Sequence, residues 1–254
     1  MPHRAPLLRV LDRIPGAIPL ARLLRRWIDP DLRMVHALRR SQRDHLFQPF
    51  TTTSENRYPQ LFTALAERLA HLPQPRILSF GCSSGEEVRA LRRYLPHALI
   101  TGIDINPRVL ELARQADNHP LSRYVLADRP DPSERYDAVL AMAVFRHGDL
   151  EAERPESCAA ILPFARFAEG IARLDAVLEP GGWLALWNAH FRFIDTPVAD
   201  GYLIDPFRMS QRADHGPLYG PDDSKIAEPG QGDALFRKRE ATAALAGDKT
   251  EQQA

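Results

Sequence analysis

At 254 residues the chain has room for one α/β domain with a sizeable extension, and 44% hydrophobic against 26% charged residues exclude a disordered or fibrous chain. Its 33 basic and 33 acidic residues cancel, which removes any global electrostatic argument for nucleic-acid binding. Two cysteines, Cys82 and Cys158, are too few for a disulfide framework or a zinc centre, so no metal is expected and a reducing cytoplasm fits best.

Residues 1–45 hold ten Arg against four Asp, a local excess of +6. Within them Leu7, Leu8, Leu11 and Ile14, then Leu20, Leu23, Leu24 and Ile28, recur at helical spacing, broken by Pro15, Pro19 and Pro30. Arg9, Asp12, Arg13 and Arg22 interrupt every apolar run, so neither a signal peptide nor a spanning helix is expected. Such a basic helical extension suits either solvated faces or peripheral contact with an acidic surface, and the four acids favour the former. The polar stretch 46–57 reads as a boundary or lid, and we divide the chain there into an extension (1–57), a domain (58–239) and a polar tail (240–254).

From Arg76 onward short apolar runs alternate with amphipathic stretches, the pattern of a doubly wound, mostly parallel sheet. Strands are expected at Ile77–Phe80, Leu99–Asp104, Arg123–Leu126, Ala138–Ala143 and Trp183–Asn188, with a last edge strand at Ala234–Lys238. Helices are expected at Glu86–Tyr94 and Pro107–Gln115, and along the stretch carrying Phe164, Phe167, Ile171, Leu174, Val177 and Leu178.

In such a fold a ligand lies across the carboxyl ends of the strands, so the turn after the first strand and the end of the second are informative. Gly81, Cys82, Ser83 and Gly85 form a small-residue turn that lets backbone approach a ligand. Asp104, followed by Ile105, ends the second strand, where an acid accepts hydrogen bonds from ribose hydroxyls. A dinucleotide would need bare amide donors at the following helix, whereas here Glu86 and Glu87 occupy the first turn and repel a diphosphate. A nicotinamide-dependent oxidoreductase is therefore the weaker reading.

The order of the glycine turn, Asp104, Asp128, Tyr136-Asp137-Ala138-Val139-Leu140 and Leu178-Glu179-Pro180-Gly181-Gly182 resembles the class I S-adenosylmethionine-dependent methyltransferases over roughly 76–190. Within them, Ser79-Phe80-Gly81-Cys82-Ser83-Ser84-Gly85-Glu86-Glu87 is similar to the loop S-A-G-C-S-T-G-E-E of the chemoreceptor glutamate methyltransferases, but the segment after the fourth strand, Met142 to His147, does not follow that family. The resemblance implies S-adenosyl-L-methionine as cofactor, with Glu86 near its methionine moiety, Asp104 on its ribose and Asp128 on its adenine amino group. Ala143, at the end of the fourth strand, joins this cofactor set. The common pattern has an acid where Ser79 stands, so this site is expected to lose one charge.

The acceptor is expected to be a small molecule or a carrier-bound group offering oxygen or nitrogen. His147 is the first candidate for a general base, with His190 second. Phe145, Trp187, Phe191 and Phe193 are candidates for an apolar acceptor pocket, and Arg57 and Tyr58 for closing over the cofactor. A fold retained as a non-catalytic binding or scaffold protein stays open as the alternative.

Overall fold

Buried on both faces, a parallel strand reads as an unbroken apolar run, and strand β1 (Arg76–Phe80) is of this kind, with only Arg76 exposed. Our computed structural model describes residues 29–43, 45–49, 53–209, 216–227 and 232–240. Side chains alternate across β1, so Ile77 faces one core layer and Leu78 the other. Helix α1 (Pro30–Ser41) precedes the sheet and α2 (Pro59–Leu69) leads into it. Then follow α3 (Glu86–Tyr94), β2 (Leu99–Asp104), α4 (Pro107–Ala116), β3 (Ser122–Leu126) and β4 (Tyr136–Met142). After β4 come α5 (Gly148–Glu153), α6 (Phe164–Val177), β5 (Leu178–Trp187), β6 (Tyr202–Ile204), β7 (Leu218–Tyr219), β8 (Lys225–Ile226) and β9 (Leu235–Lys238).

The main sheet runs β3-β2-β1-β4-β5-β9-β6. Its first five strands are parallel, and β9 and β6 are antiparallel additions. The chain order reverses between β1 and β4, which opens a crevice at their carboxyl ends. One face packs against α6 through Phe167, Ile171 and Leu174. The other is covered by Leu61, Leu65 and Leu69 of α2, Val88 and Leu91 of α3, and Leu110 of α4.

Three differences from the sequence-based expectation have local causes. Strand β5 begins at Leu178 rather than Trp183, because Leu178 already pairs with Tyr136 before the Pro180-Gly181-Gly182 segment shifts the register and Trp183 pairs with Ala138. The last strand, β9, is not the sheet edge, since β6 pairs alongside it. The short α5 and the β7–β8 hairpin have too little periodicity to be read from sequence. The leucine-rich stretch 1–28 and the tail beyond 240 lie outside the described residues, and of the extension α1 is described. Asp29 caps it, accepting from the amides of Asp31 and Leu32, with Pro30 at the first helical position.

Both central strands leave the sheet in the left-handed backbone region. Ala143 has φ 59° after β4 and Asn188 has φ 59° after β5. They are level neighbours, since Met142 pairs with Trp187 and the Ala143 amide donates to the Trp187 carbonyl at 2.9 Å.

Candidate cofactor site

A pocket opens over the carboxyl ends of β1, β2 and β4, at the crevice the strand order creates. Its floor includes Gly81, Cys82, Ser83, Asp104, Ile105, Asp128 and Ala143, and its roof comes from Leu38 of α1 and from residues among 45–49 and 53–58. Seven of the nine residues expected to contact the cofactor therefore stand together; Gly85, Glu86 and the candidate base His147 stand outside the pocket wall.

The acid missing from β1 returns from α3. Ser79 is fully buried, and its hydroxyl donates to Glu87 Oε1 at 2.7 Å. A carboxylate in the first turn of the helix thus reaches the strand position it replaces, and Glu87 lines the pocket. Burial pushes its carboxyl up to about 7, with the Ser79 hydroxyl pulling the other way. Adjacent helical residues project about 100° apart, so Glu86 points elsewhere. It accepts from the Ser84 hydroxyl at 2.9 Å and lies 3.8 Å from Arg89.

Asp104 is fixed by the backbone around it: Oδ2 accepts from the Ser83 amide at 2.9 Å and Oδ1 from the Asn106 amide at 2.8 Å. Burial raises its carboxyl, and the amides of Asn106, Ser83 and Ile105 oppose that rise. Asp128 is held below the usual carboxylate range, first by the hydrogen bonds from Arg129. His45, on the roof, reaches it at 3.0 Å.

The two glycines do different work. Gly81 has φ +72° and lies so close to Val144 that a Cβ would come within 2.5 Å of Cγ2. Gly85 has φ +83°, but a Cβ there would strike the Tyr124 hydroxyl at 2.7 Å and Ala113 at 3.1 Å, so it permits packing against α4 and β3 rather than approach to the pocket.

Sequence reasoning read 46–57 as a boundary or lid but, of the roof residues lining the pocket, named only Arg57 and Tyr58. Leu38, Leu46, Phe47 and Pro49 line the pocket from above, and Phe47 packs edge-on against Phe145 at 4.8 Å between ring centroids. Arg57 and Tyr58 do line the wall, the guanidinium 5.4 Å from the phenol ring centre. Burial pushes the Tyr58 phenol up, opposed by Arg57 and by the Asn188 side chain. Ionic contacts tie the roof down: Arg39 to Asp149 at 3.2 Å and Arg93 to Glu55 at 3.3 Å. Tyr94 also donates to Asn56 at 3.0 Å.

Phe145, Trp187, Phe191 and Phe193 are buried in the core and not on the pocket wall. His147 caps α5, its Nδ1 accepting from the Asp149 amide at 3.2 Å, and burial lowers it. His190 is buried with ring nitrogens 2.9 Å from the Pro217 carbonyl and 3.3 Å from the His147 carbonyl, and burial lowers it too. Among the described residues no group of acids, histidines or cysteines is arranged to hold a metal, and no helix is long and apolar enough to cross a membrane.

A parallel five-stranded core with two antiparallel additions, a glycine turn after β1 and an acid ending β2 define the class I methyltransferase fold. Residues 78–184 match the family described as "Methyltransferase domain". It is 39% identical over 130 residues to the biotin biosynthesis bifunctional protein BioCD of Bordetella avium, covering 48% of this chain and 24% of that one. It is 34% identical over 151 residues to the demethylmenaquinone methyltransferase of Deinococcus radiodurans, with 58% and 53% covered. To the fatty-acid O-methyltransferase of Mycolicibacterium smegmatis it is 31% identical over 172 residues, with 65% and 56% covered. The chain spans little more than half the length of the latter two and about a quarter of the first.

Proposed function

We propose that the protein transfers a methyl group from S-adenosyl-L-methionine to an oxygen or nitrogen of a small-molecule or carrier-bound acceptor. The observation that carries this reading is the carboxylate of Glu87, buried on Ser79 in a pocket whose wall also presents Asp104 and Asp128. Three acids along one wall oppose a diphosphate and suit a cofactor bearing an ammonium. Unmet polar capacity points the same way: the Ser83 hydroxyl is buried without a partner among the described residues. The residues present fit the cofactor, with Glu87 for its ammonium, Asp104 for the ribose hydroxyls and Asp128 for the adenine amino group. When bound, it supplies a methyl on a sulfonium that is already a good leaving group, so the task of these side chains is to bind and orient.

Gly81, Cys82, Ser83, Ile105 and Ala143 complete the cofactor contacts of this proposal, and Glu87 takes the part the resemblance assigned to Glu86. The names of the relatives, among them a fatty-acid O-methyltransferase, support transfer to small organic acceptors. The same proposal places the protein in the cytoplasm and treats 1–57 as extension and lid, 58–239 as the catalytic domain and 240–254 as a tail. Titration calorimetry with S-adenosylhomocysteine tests it, set against thermal shifts with NAD(H). Micromolar binding of S-adenosylhomocysteine with no response to NAD(H) is expected, and the reverse overturns it.

A further inference from the structure

We infer that the outer side of the roof docks on an anionic lipid surface, with the arginine stripe of α1 on the headgroups and the adjoining segment 20–28 at the acyl boundary. This goes beyond the methyltransferase reading and does not depend on it.

The stripe follows from the geometry of α1. At about 100° per residue, Arg33, His36 and Arg40 fall on one face, opposite the buried Val35 and Leu38. All three are exposed, as is Arg43 just past the helix end. Among the described residues no acidic side chain pairs with Arg33, Arg40 or Arg43, and the ion pairs of this region run elsewhere: Arg39 to Asp149, His45 to Asp128 and Arg108 to Asp31. The four Asp of residues 1–45 therefore neutralise less than their number suggests. Asp29 accepts from amides at the start of α1, and Asp31 is engaged by α4. Glu111 of α4 shares a cleft with Arg33 at the edge of the stripe, whereas Arg40 and Arg43 do not line that cleft.

A nucleic acid or an acidic protein would use the charge alone. The sequence leading into α1 offers more. Read at the same spacing, Leu20, Leu23, Leu24, Trp27 and Ile28 share one arc of 20–28, and Arg22, Arg25 and Arg26 share the opposite one. That pattern suits the plane of a bilayer interface, with the apolar arc among acyl chains and the guanidinium groups among phosphates, which they can grip through two hydrogen bonds at once. Helix α1 also joins this surface to the site, because Leu38 on its inward face lines the cofactor pocket.

Cosedimentation of the full chain with vesicles of phosphatidylcholine, alone or with a third of phosphatidylglycerol, tests the inference at about 0.15 M salt. Binding to the anionic vesicles and not to phosphatidylcholine is expected. Replacing Arg33, Arg40 and Arg43 together by Gln should weaken it about tenfold or more, with melting temperature and S-adenosylhomocysteine affinity little changed. Brominated acyl chains should quench tryptophan fluorescence in the unaltered chain and not in Trp27→Phe, since Trp183 and Trp187 belong to β5. No binding, equal binding to both vesicles, or full binding by the triple variant overturns the inference. Quenching that survives Trp27→Phe removes 20–28 from the contact. Equal affinity for duplex DNA or polyglutamate at the same salt assigns the stripe to a nucleic acid or an acidic protein and overturns the lipid surface.

Discussion

The floor and the roof of the pocket are built on opposite principles. The floor is made of strand ends, turns and one helix start, where Asp104 is fixed by the backbone amides of Ser83 and Asn106 and Glu87 by the buried hydroxyl of Ser79. Among the described residues the roof has no strand ladder and is joined to the domain by long-range side-chain contacts such as Arg39–Asp149 and His45–Asp128. Rigid placement below and adjustable closure above is the division expected where a ligand must enter before it is enclosed.

The comparison is broken most severely at Asp104. Asp104→Ala removes two amide acceptors from the floor and the carboxylate proposed for the ribose, so calorimetry should show S-adenosylhomocysteine affinity falling about a hundredfold or more. Unchanged affinity would sink the assignment of the floor.

Glu87→Gln comes next, with an expected loss of about tenfold at pH 8. It also carries a pH signature. With its carboxyl raised from the ordinary 4.5 to about 7, the ligand-free native state keeps a proton that the unfolded chain has released between those values. Stability should therefore fall as pH rises across that window, and Glu87→Gln should flatten the slope of melting temperature against pH. Pairing with the ligand's ammonium requires ionisation, so affinity should tighten as pH rises to about 7, with proton release visible as a buffer-dependent binding enthalpy.

Two smaller effects sharpen the contrast. His147→Ala should cost about 1 kcal/mol in urea denaturation through loss of the α5 cap, while transfer activity stays within about twofold; a collapse in kcat would restore the histidine as a base. Arg39→Ala cuts a half-exposed roof contact worth about 0–1 kcal/mol. It should leave stability nearly unchanged and show in stopped-flow as faster ligand release.

The floor was largely legible because its determinants are local. The five parallel strands announce themselves as apolar runs, and Asp104 stands where a strand ends. Choosing between Glu86 and Glu87 needed the buried side of α3, which is fixed by contact with Ser79 eight residues earlier. The same contact explains why a serine can stand at 79: the charge expected there is carried by the helix. The roof escaped because nothing in its own sequence signals that Phe47 will meet Phe145, about a hundred residues on, or that His45 will meet Asp128, about eighty residues on. Aromatic residues such as Phe191 and Phe193 were as compatible with a core as with a pocket, and burial alone decided between them.

The paired left-handed exits at Ala143 and Asn188 have a consequence for how this sheet ends. Asparagine tolerates that conformation readily and alanine does so at some cost. Because the two strands turn off together at one level, the change of direction at the rim between β4 and β5 is shared by both. A glycine at 143 would relax the turn but release many other conformations with it, so the alanine methyl acts as a stiffener: it trades a little conformational energy for a threshold of constant shape at the mouth of the crevice.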